Sequence, residues 1–249
     1  MNKQIQSIRE TYNRKEMQKT YTEAVDKVGL WKSEKIMFKK YISKDDKILD
    51  LGCGAGRTTI SLFREGYQDI IGLDISDKFI DFANGYCKQN KLNITFINGD
   101  ATCLPFNDSV FDAVIFSYNG LMCIPGKRNR DCVLKEVYRV LKTNGIFIFT
   151  AHNRDDSGKY QYVWDEEKKN WENGTQNKKL EMFGDRLTVN QNSGEEVFVH
   201  FSNIEEMKDF VHQEKFEIVE YIKRENICDE SDVVKEFSGS TWFWVLRKK

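Results

Sequence analysis

The chain has 249 residues, 40% of them hydrophobic and 31% charged, which is typical of one sizeable globular domain with room for an insertion. Its 38 basic and 39 acidic residues give a formal net charge of -1, which argues against a long nucleic-acid duplex or an anionic membrane surface as partner. A small nucleic-acid target stays open.

The first predicted elements are two helices within residues 1–46, over "IRETYNRKEMQKTYTEAV" and "SEKIMFKKYI". From Lys47 to Thr150, short apolar runs alternate with segments of helical periodicity, which predicts parallel strands joined by crossover helices. Ser76 is the predicted N-cap of one such helix, and Gly145 is predicted to follow the end of another. The predicted strands are 47–52, 69–74, 94–99, 111–117 and 145–151.

The pattern changes after Thr150. A polar stretch is followed by a predicted hairpin over 185–201, and "SNIE" at 202–205 predicts a capping box that opens a helix. Two last strands, 216–222 and 241–247, are close enough in sequence to pair antiparallel. The insertion at about 153–200 could form a lid over an acceptor pocket, a satellite core or a dimer surface. Its aromatic side chains are Tyr160, Tyr162, Trp164, Trp171, Phe183 and Phe198.

The stretch "ILDLGCGAG" at 48–56 joins a predicted strand to a predicted helix through alternating glycines. Glycines there let the backbone approach a ligand closely, although a tight turn without a ligand is the alternative. Asp74 and Asp100 follow the next two predicted strands, so three acids including Asp50 share one edge of the sheet and outline a nucleoside site. Because the loop begins with an acid and lacks G-K-[ST], it favours a cationic ligand over a phosphate.

These motifs resemble the class I S-adenosylmethionine-dependent methyltransferases, in particular their small "type 11" group. The resemblance covers about 47–151 and includes "ILDLGCGAGRTT", "GLDIS" and "GDATCLPFNDSVFDAVIFSYNGLM". It implies an α/β fold with a doubly wound, seven-stranded, mostly parallel Rossmann-like sheet, a reversed last strand and a small inserted lid. It also implies a helical cap at 1–46 on a methyltransferase domain at 47–249, with S-adenosylmethionine as cofactor and S-adenosylhomocysteine as product.

The resemblance further implies roles for single residues. The glycine loop would pass beneath the methionine part of the cofactor, with Asp50 near its ammonium and Arg57 near its carboxylate. Asp74 would hold the ribose, and Tyr118 would lie near the methyl group. Tyr12, Tyr21 and Trp31 could close the site, with ordinary helix packing as the alternative. The implied cofactor residues are Tyr12, Tyr21, Asp50, Gly52, Cys53, Gly54, Gly56, Arg57, Asp74, Ile75, Asp100, Ala101, Ser117 and Tyr118.

The sequence indicates the methyl acceptor only by excluding two classes of methyltransferase. "FSYNGL" lacks the Asn/Asp-Pro-Pro-aromatic stretch of enzymes that methylate base amines, and "MCIPG" reverses the Pro-Cys order of cytosine C5 enzymes. Cys123 is therefore interpreted as structural. We expect a small-molecule acceptor that offers oxygen, nitrogen or sulfur. A tRNA or protein acceptor is the alternative, with "GKRNR" at 126–130 as a phosphate contact, and a non-catalytic cofactor-binding sensor is the third hypothesis.

Three side chains are candidates for the catalytic step, namely His200, His152 and Tyr118. The alternative for the histidines is that neither of them titrates in the reaction. The six cysteines form no CxxC pair or Cys/His cluster, so no metal site is expected and reduced thiols in a cytoplasm are favoured. The sequence lacks an export signal and an 18-residue apolar run, so no membrane partner is expected. A monomer or a homodimer is expected.

Overall fold

The computed structural model describes residues 2–156, 158 and 161–249, so Tyr160 lies outside the described residues. The strands are β1 (Ile48–Leu51), β2 (Ile70–Asp74), β3 (Thr95–Asn98), β4 (Phe111–Phe116), β5 (Leu141–Ala151), β6 (Asp185–Val189), β7 (Glu196–His200), β8 (Phe216–Lys223) and β9 (Trp242–Lys248). The helices are α1 (Lys3–Tyr12), α2 (Lys15–Lys27), α3 (Lys32–Tyr41), α4 (Arg57–Arg64), α5 (Asp77–Asn90), α6 (Lys127–Val140), α7 (Gln161–Glu172), α8 (Ile204–His212), α9 (Arg224–Ile227) and α10 (Asp232–Phe237).

Within the described residues, seven strands form one sheet in the order β3-β2-β1-β4-β5-β9-β8. The first five pair in parallel, whereas β9 runs antiparallel to both β5 and β8. The predicted doubly wound sheet with a reversed last strand is therefore confirmed. The predicted hairpin is confirmed as a separate two-stranded sheet of β6 and β7.

The strands at the centre of the sheet are covered by helices on both faces. Successive residues of a strand point to opposite faces, so Leu49 and Leu51 lie in one buried cluster and Ile48 in another. All four residues of β1 are buried, as expected for a central parallel strand. This core holds the strand ends, and hence the loops that follow them, in fixed positions. Among the helices in the described ranges, none is both long and apolar enough to cross a bilayer.

The N-terminal segment has three helices where the sequence predicted two. The predicted first helix breaks at Asn13, whose side chain donates to Asp77 at 2.8 Å and accepts from Ser76 Oγ at 2.6 Å. Arg9 adds an ion pair to Asp77 at 3.1 Å. Through these contacts the break between α1 and α2 binds the start of α5, near the carboxyl ends of the parallel strands.

Three further predictions of element ends are tested by the structure. Ser76 is confirmed as the N-cap of α5, since its hydroxyl accepts from the Phe79 N–H at 3.2 Å. The capping box of α8 lies one residue later than predicted and joins Asn203 to Glu206. Gly145 does not follow the end of α6, because Leu141 already pairs with β4 as the first residue of β5.

The connection from β8 to β9 was not predicted. Instead of a turn, it contains α9 and α10, and Phe237 at the end of α10 lies beside the segment that follows β4. It ends by placing Phe237 face to face with Tyr118, with ring centroids 4.9 Å apart. A residue near the end of the chain thus becomes part of the wall around the candidate site.

Candidate active site

A first cavity of about 120 Å³, here the strand-end cavity, lies where β1, β2 and β4 end, beneath α1 and α2. The carboxyl ends of parallel strands meet at this edge, which is where the sequence predicted a nucleoside site. The predicted cofactor residues that line it are Tyr12, Tyr21, Asp50, Gly52, Cys53, Gly54, Arg57, Asp74, Ile75, Asp100, Ala101, Ser117 and Tyr118.

The glycine loop forms the floor of this cavity. Gly52 and Gly54 have φ angles of +64° and +55°, a region that side chains rarely adopt. A Cβ on Gly54 would stand 3.4 Å from Tyr21 Cδ1, in the gap between the loop and α2. Gly56 is not among the residues that line the cavity. It caps α4 with a φ of +92°, and a Cβ there would meet Ile60 and Phe96 at 3.0 Å.

Asp50 is the acid at the end of β1 and is only 1% exposed. Its carboxylate accepts a hydrogen bond from Thr59 Oγ1 at 2.5 Å. Burial raises the pKa of Asp50 to about 7, because the interior penalises the charged form. A cation placed beside this carboxylate would favour its ionised form.

Asp74 is the acid at the end of β2. Its two carboxylate oxygens accept from the backbone N–H groups of Gly54 and Ser76, each at 2.8 Å. It thereby ties the glycine loop to the start of α5, while burial raises its pKa to about 6. Asp100, after β3, is half-buried and accepts from the Thr102 N–H at 2.8 Å. The two acids lie on one side of the cavity, next to Ile75.

Arg57 lines the cavity but is already paired. Its guanidinium makes two hydrogen bonds of 2.7 Å to Glu34 and one of 2.6 Å to the Gly29 carbonyl, which together use three of its five N–H donors. The guanidinium carbon lies 5.0 Å from the centroid of the Trp31 ring, which stacks on it. Trp31 is 0% exposed. Trp31 therefore packs behind Arg57 and does not close the site.

S-adenosylmethionine fits this cavity on two observations. The space above Gly54 is open to a ligand because that residue has no side chain. Asp50 and Asp74 are buried carboxylates, 1% and 8% exposed, and the arginine beside them is held by Glu34. A buried carboxylate without a cation is unfavourable, so a ligand that carries an ammonium and a sulfonium compensates these charges.

The pKa of Asp50 leads to a first prediction. Because its folded pKa of about 7 lies above the ordinary 3.8, the free protein loses stability as the pH rises between these values. The ionised form attracts the ligand's ammonium, so affinity for S-adenosylhomocysteine is expected to rise with pH up to about 7, by at most about tenfold per pH unit. Calorimetric titrations across this range measure the effect.

Asp50→Asn provides the control for this titration. It is expected to remove the upper part of the pH dependence and to leave the part that Asp74, with a pKa of about 6, contributes. An unchanged pH dependence in Asp50→Asn would show that another group responds to the ligand.

Aromatic rings form one wall of the cavity. Tyr118 stacks on Phe237 and meets Tyr21 edge to face, with ring centroids 6.0 Å apart. Tyr12 packs edge to face on Tyr21 at 5.9 Å. Both N-terminal tyrosines therefore line the strand-end cavity, and their contact with a cofactor stays a prediction. Rings at this distance can stabilise a cation through their negative faces.

A second cavity of about 620 Å³, here the hairpin chamber, shares part of this aromatic lining. It is bounded by the β6–β7 hairpin, α7 and the segments that follow β4, β5 and α10. Its volume is in the range of pockets that bind small organic ligands. The residues that line both cavities are Tyr12, Tyr21, Tyr118, Cys123 and Phe237.

His152 lines the hairpin chamber, and both of its ring nitrogens are engaged. Nδ1 lies 2.8 Å from the Ser240 carbonyl, to which it can only donate. Nε2 then accepts from the Asn119 amide, 3.1 Å away. Burial lowers the pKa of His152, which keeps the ring neutral. In this arrangement His152 orients Asn119. Neither ring nitrogen has a free lone pair with which to take a proton from a methyl acceptor.

His200, the other predicted base, does not line either of these cavities. It lies on the opposite face of the hairpin, where Nδ1 is 2.8 Å from Asp185 and Arg130 approaches the same carboxylate at 3.7 Å. Side chains alternate along a strand, so Val199 faces the chamber and His200 cannot. In this position His200 anchors the hairpin, and its predicted catalytic role stays a prediction that this placement does not support.

Sequence reasoning missed two residues at the site. Phe237 comes from a polar segment without a motif; the only signal is the long gap between two strands that pair antiparallel. Glu34, which holds Arg57, lies in a helix 23 residues before it, and "SEK" carries no pattern that predicts a partner.

Comparisons with known proteins agree with this arrangement. The family described as "Methyltransferase domain" matches residues 48–145. Over 116 residues the chain is 40% identical to a demethylmenaquinone methyltransferase of Lactobacillus johnsonii, which covers 45% of this chain and 46% of that protein. The chain thus matches about half the length of this relative.

Two longer matches cover most of the chain. An uncharacterised protein of Methanocaldococcus jannaschii is 31% identical over 195 residues, 75% of this chain and 67% of that protein. The crystal structure of a SAM-dependent methyltransferase of Methanosarcina mazei superposes with a TM-score of 0.67 at 22% identity, covering 85% of this chain and 96% of that one. The structural match shows the fold.

Proposed function

Since the chain belongs to the class I S-adenosylmethionine-dependent methyltransferases, we propose that it transfers the methyl group in line to a small-molecule acceptor bound in the hairpin chamber. The observation that carries this proposal is the wall of Tyr12, Tyr21, Tyr118, Cys123 and Phe237, which lines both cavities. A methyl donor in the strand-end cavity and an acceptor in the hairpin chamber would meet where these residues line both cavities. The proposal includes a cytoplasmic location, which the six free thiols support.

In this proposal each part of the chain has a binding task. When bound, the cofactor supplies a methyl group on a sulfonium. Asp50 would hold its ammonium and Asp74 its ribose hydroxyls, while Ile75 packs on the adenine and Asp100 with Ala101 meets the adenine edge. The wall tyrosines would exclude water and favour the cationic centre. Residues 1–46 would act as a cap over the cofactor, and 153–200 as a lid over the acceptor.

The groups at the shared wall are not poised to remove a proton. Tyr118 donates its hydroxyl to the Phe237 carbonyl at 3.0 Å, and burial raises its pKa to about 12. Burial raises the pKa of Cys123 to about 11. His152 is neutral with both nitrogens engaged. We therefore propose that the acceptor presents an atom with a lone pair of its own, and that the wall aligns it.

Tyr118→Phe tests this alignment role. The variant keeps the ring that stacks on Phe237 and removes only the hydroxyl, so kcat is expected to fall by less than about tenfold with an unchanged pH profile. Steady-state rates over a pH series measure both quantities. A loss of about 100-fold or more together with a shifted pH profile would instead make Tyr118 a general base.

The acceptor class is tested with methyl-labelled cofactor in a cell extract. Label is expected in the small-molecule fraction and to be absent when Asp74→Ala replaces the natural chain. Label in tRNA or protein alone would replace the small-molecule proposal by the alternative. Binding of both S-adenosylmethionine and S-adenosylhomocysteine without turnover would favour a sensor.

The structure weakens the motivation for a nucleic-acid acceptor. In "GKRNR", Arg130 is 2% exposed and donates to the Ile124 carbonyl at 3.0 Å, while Lys127 pairs with Asp131 at 2.9 Å. Arg128 is the exposed cation of this segment that remains for a phosphate. The demethylmenaquinone methyltransferase named above acts, by its name, on demethylmenaquinone, which supports a small-molecule acceptor over a nucleic acid.

A further inference from the structure

We infer that the acceptor carries a carboxylate beside a ring, and that Arg186 binds this carboxylate within the hairpin chamber. The inference rests on the proposed function, because it concerns the chamber in which the acceptor would lie. Arg186 lines the chamber, is only weakly paired and lies among aromatic rings.

Alternation along the hairpin determines which side chains the acceptor meets. Arg186 pairs with Val199 and Thr188 pairs with Val197 across the two strands, and all four line the chamber. Residues that neighbour them along each strand, such as Asp185 and His200, face the opposite side of the hairpin. The chamber face of the hairpin is therefore apolar on β7 and carries one cationic group on β6.

The two arginines of the chamber are paired very differently. Arg154 is 8% exposed and forms a two-pronged ion pair with Glu206, with a further hydrogen bond to the Phe201 carbonyl at 3.1 Å. Arg186 meets Glu167 through one nitrogen at 3.4 Å, which is longer than a good charge-assisted hydrogen bond. Arg186 therefore has N–H groups available for a closer, two-pronged contact with a ligand.

Aromatic side chains surround this guanidinium and the space beside it. Trp164 lies under Arg186, with the guanidinium carbon 5.5 Å from the ring centroid. Phe201 packs against Trp164 at 5.3 Å and stacks on His152 at 5.2 Å. A planar ring can lie among these faces while an attached anion reaches Arg186.

The charge around the chamber favours a carboxylate over a phosphate. One guanidinium offers two parallel N–H groups, which match the two oxygens of a carboxylate. A phosphate with nearly two charges calls for more cations, and Arg154, the other arginine that lines the chamber, is already neutralised by Glu206. Asp156, also in the lining, adds a negative charge that is shared with Lys223 at 3.2 Å.

The test uses a matched pair of probes, 2-naphthoate and 2-naphthamide, which share a ring and differ in charge. Calorimetric titration is done on the full chain loaded with S-adenosylhomocysteine. The carboxylate is expected to bind at least about tenfold more tightly than the amide. Arg186→Met, which keeps the length of the side chain without its charge, is expected to remove this preference.

Two further variants make the result specific. Glu167→Gln removes the weak competitor for Arg186 and is expected to raise carboxylate affinity, opposite in direction to Arg186→Met. Arg247→Gln changes an arginine on β9 that pairs with Glu217 at 3.7 Å, and it is expected to change nothing. Equal binding of the two probes, binding of neither, or a preference that survives in Arg186→Met would overturn the inference. Binding of S-adenosylhomocysteine itself separates these outcomes from failure of the proposed function.

Discussion

Replacing Asp74 by alanine is expected to weaken binding of S-adenosylhomocysteine on the order of 100-fold. The variant removes a carboxylate that would accept two ribose hydroxyls, and it also releases the N–H groups of Gly54 and Ser76, each of which donates to Asp74 at 2.8 Å. Both losses affect the part of the strand-end cavity where Asp74 meets the glycine loop. Calorimetric titration of the folded variant gives the affinity directly.

Two controls separate the loss of the ligand contact from a loss of loop structure. Asp74→Asn retains one acceptor oxygen and is expected to lie between the natural chain and Asp74→Ala. Asp81→Ala removes an exposed acid from α5 and is expected to leave affinity unchanged. If Asp74→Ala bound the ligand as tightly as the natural chain, the assignment of the strand-end cavity to the nucleoside would be refuted.

Gly52→Ala is expected to destabilise the fold by about 2–4 kcal/mol and to weaken cofactor binding with it. The added Cβ would lie 2.3 Å from Phe116 Cε2, at a backbone position with a φ of +64°. Phe116 is 4% exposed, so its ring has little space to move. The melting temperature is expected to fall by roughly 5 to 15 °C, which thermal unfolding measures.

Gly85→Ala provides a matched control with the same chemical change. Gly85 lies inside α5, and a Cβ there would have no heavy atom within 4 Å. Alanine is favoured over glycine in a helix, so this variant is expected to gain about 0.5–1 kcal/mol. A Gly52→Ala protein as stable as Gly85→Ala would show that the glycine loop adapts freely and that its shape is not required.

The donor side of the site was predictable because its signals are local. A strand, an acid and alternating glycines follow one another within "ILDLGCGAG", and parallel strands bring Asp74 and Asp100 to the same edge. The fold followed from the same alternation of strands and helices, and the sheet order confirms it. Whether each of these residues binds the cofactor stays a prediction until the variants above are measured.

The hairpin chamber was less predictable because it depends on contacts between distant parts of the chain. His200 was a candidate because "VFVHF" leads from the hairpin into the capped helix, and the register of the hairpin shows which face it occupies. The alternation of valines at 197 and 199 with His200 could have placed the histidine on the other face. Phe237 reaches the wall through a connection that carries no pattern, and its position depends on the whole sheet.

The two faces of the β6–β7 hairpin have a consequence for how substrate range can change. One face holds the hairpin to the body of the protein through Asp185, His200 and Arg130, and the other presents Arg186, Thr188, Val197 and Val199 to the chamber. Substitutions at the second set leave the first set and the glycine loop untouched. Under the proposed function, variation confined to these four alternating positions is a route by which related enzymes diverge in acceptor while keeping one methyl donor, and these positions are the ones to randomise in directed evolution.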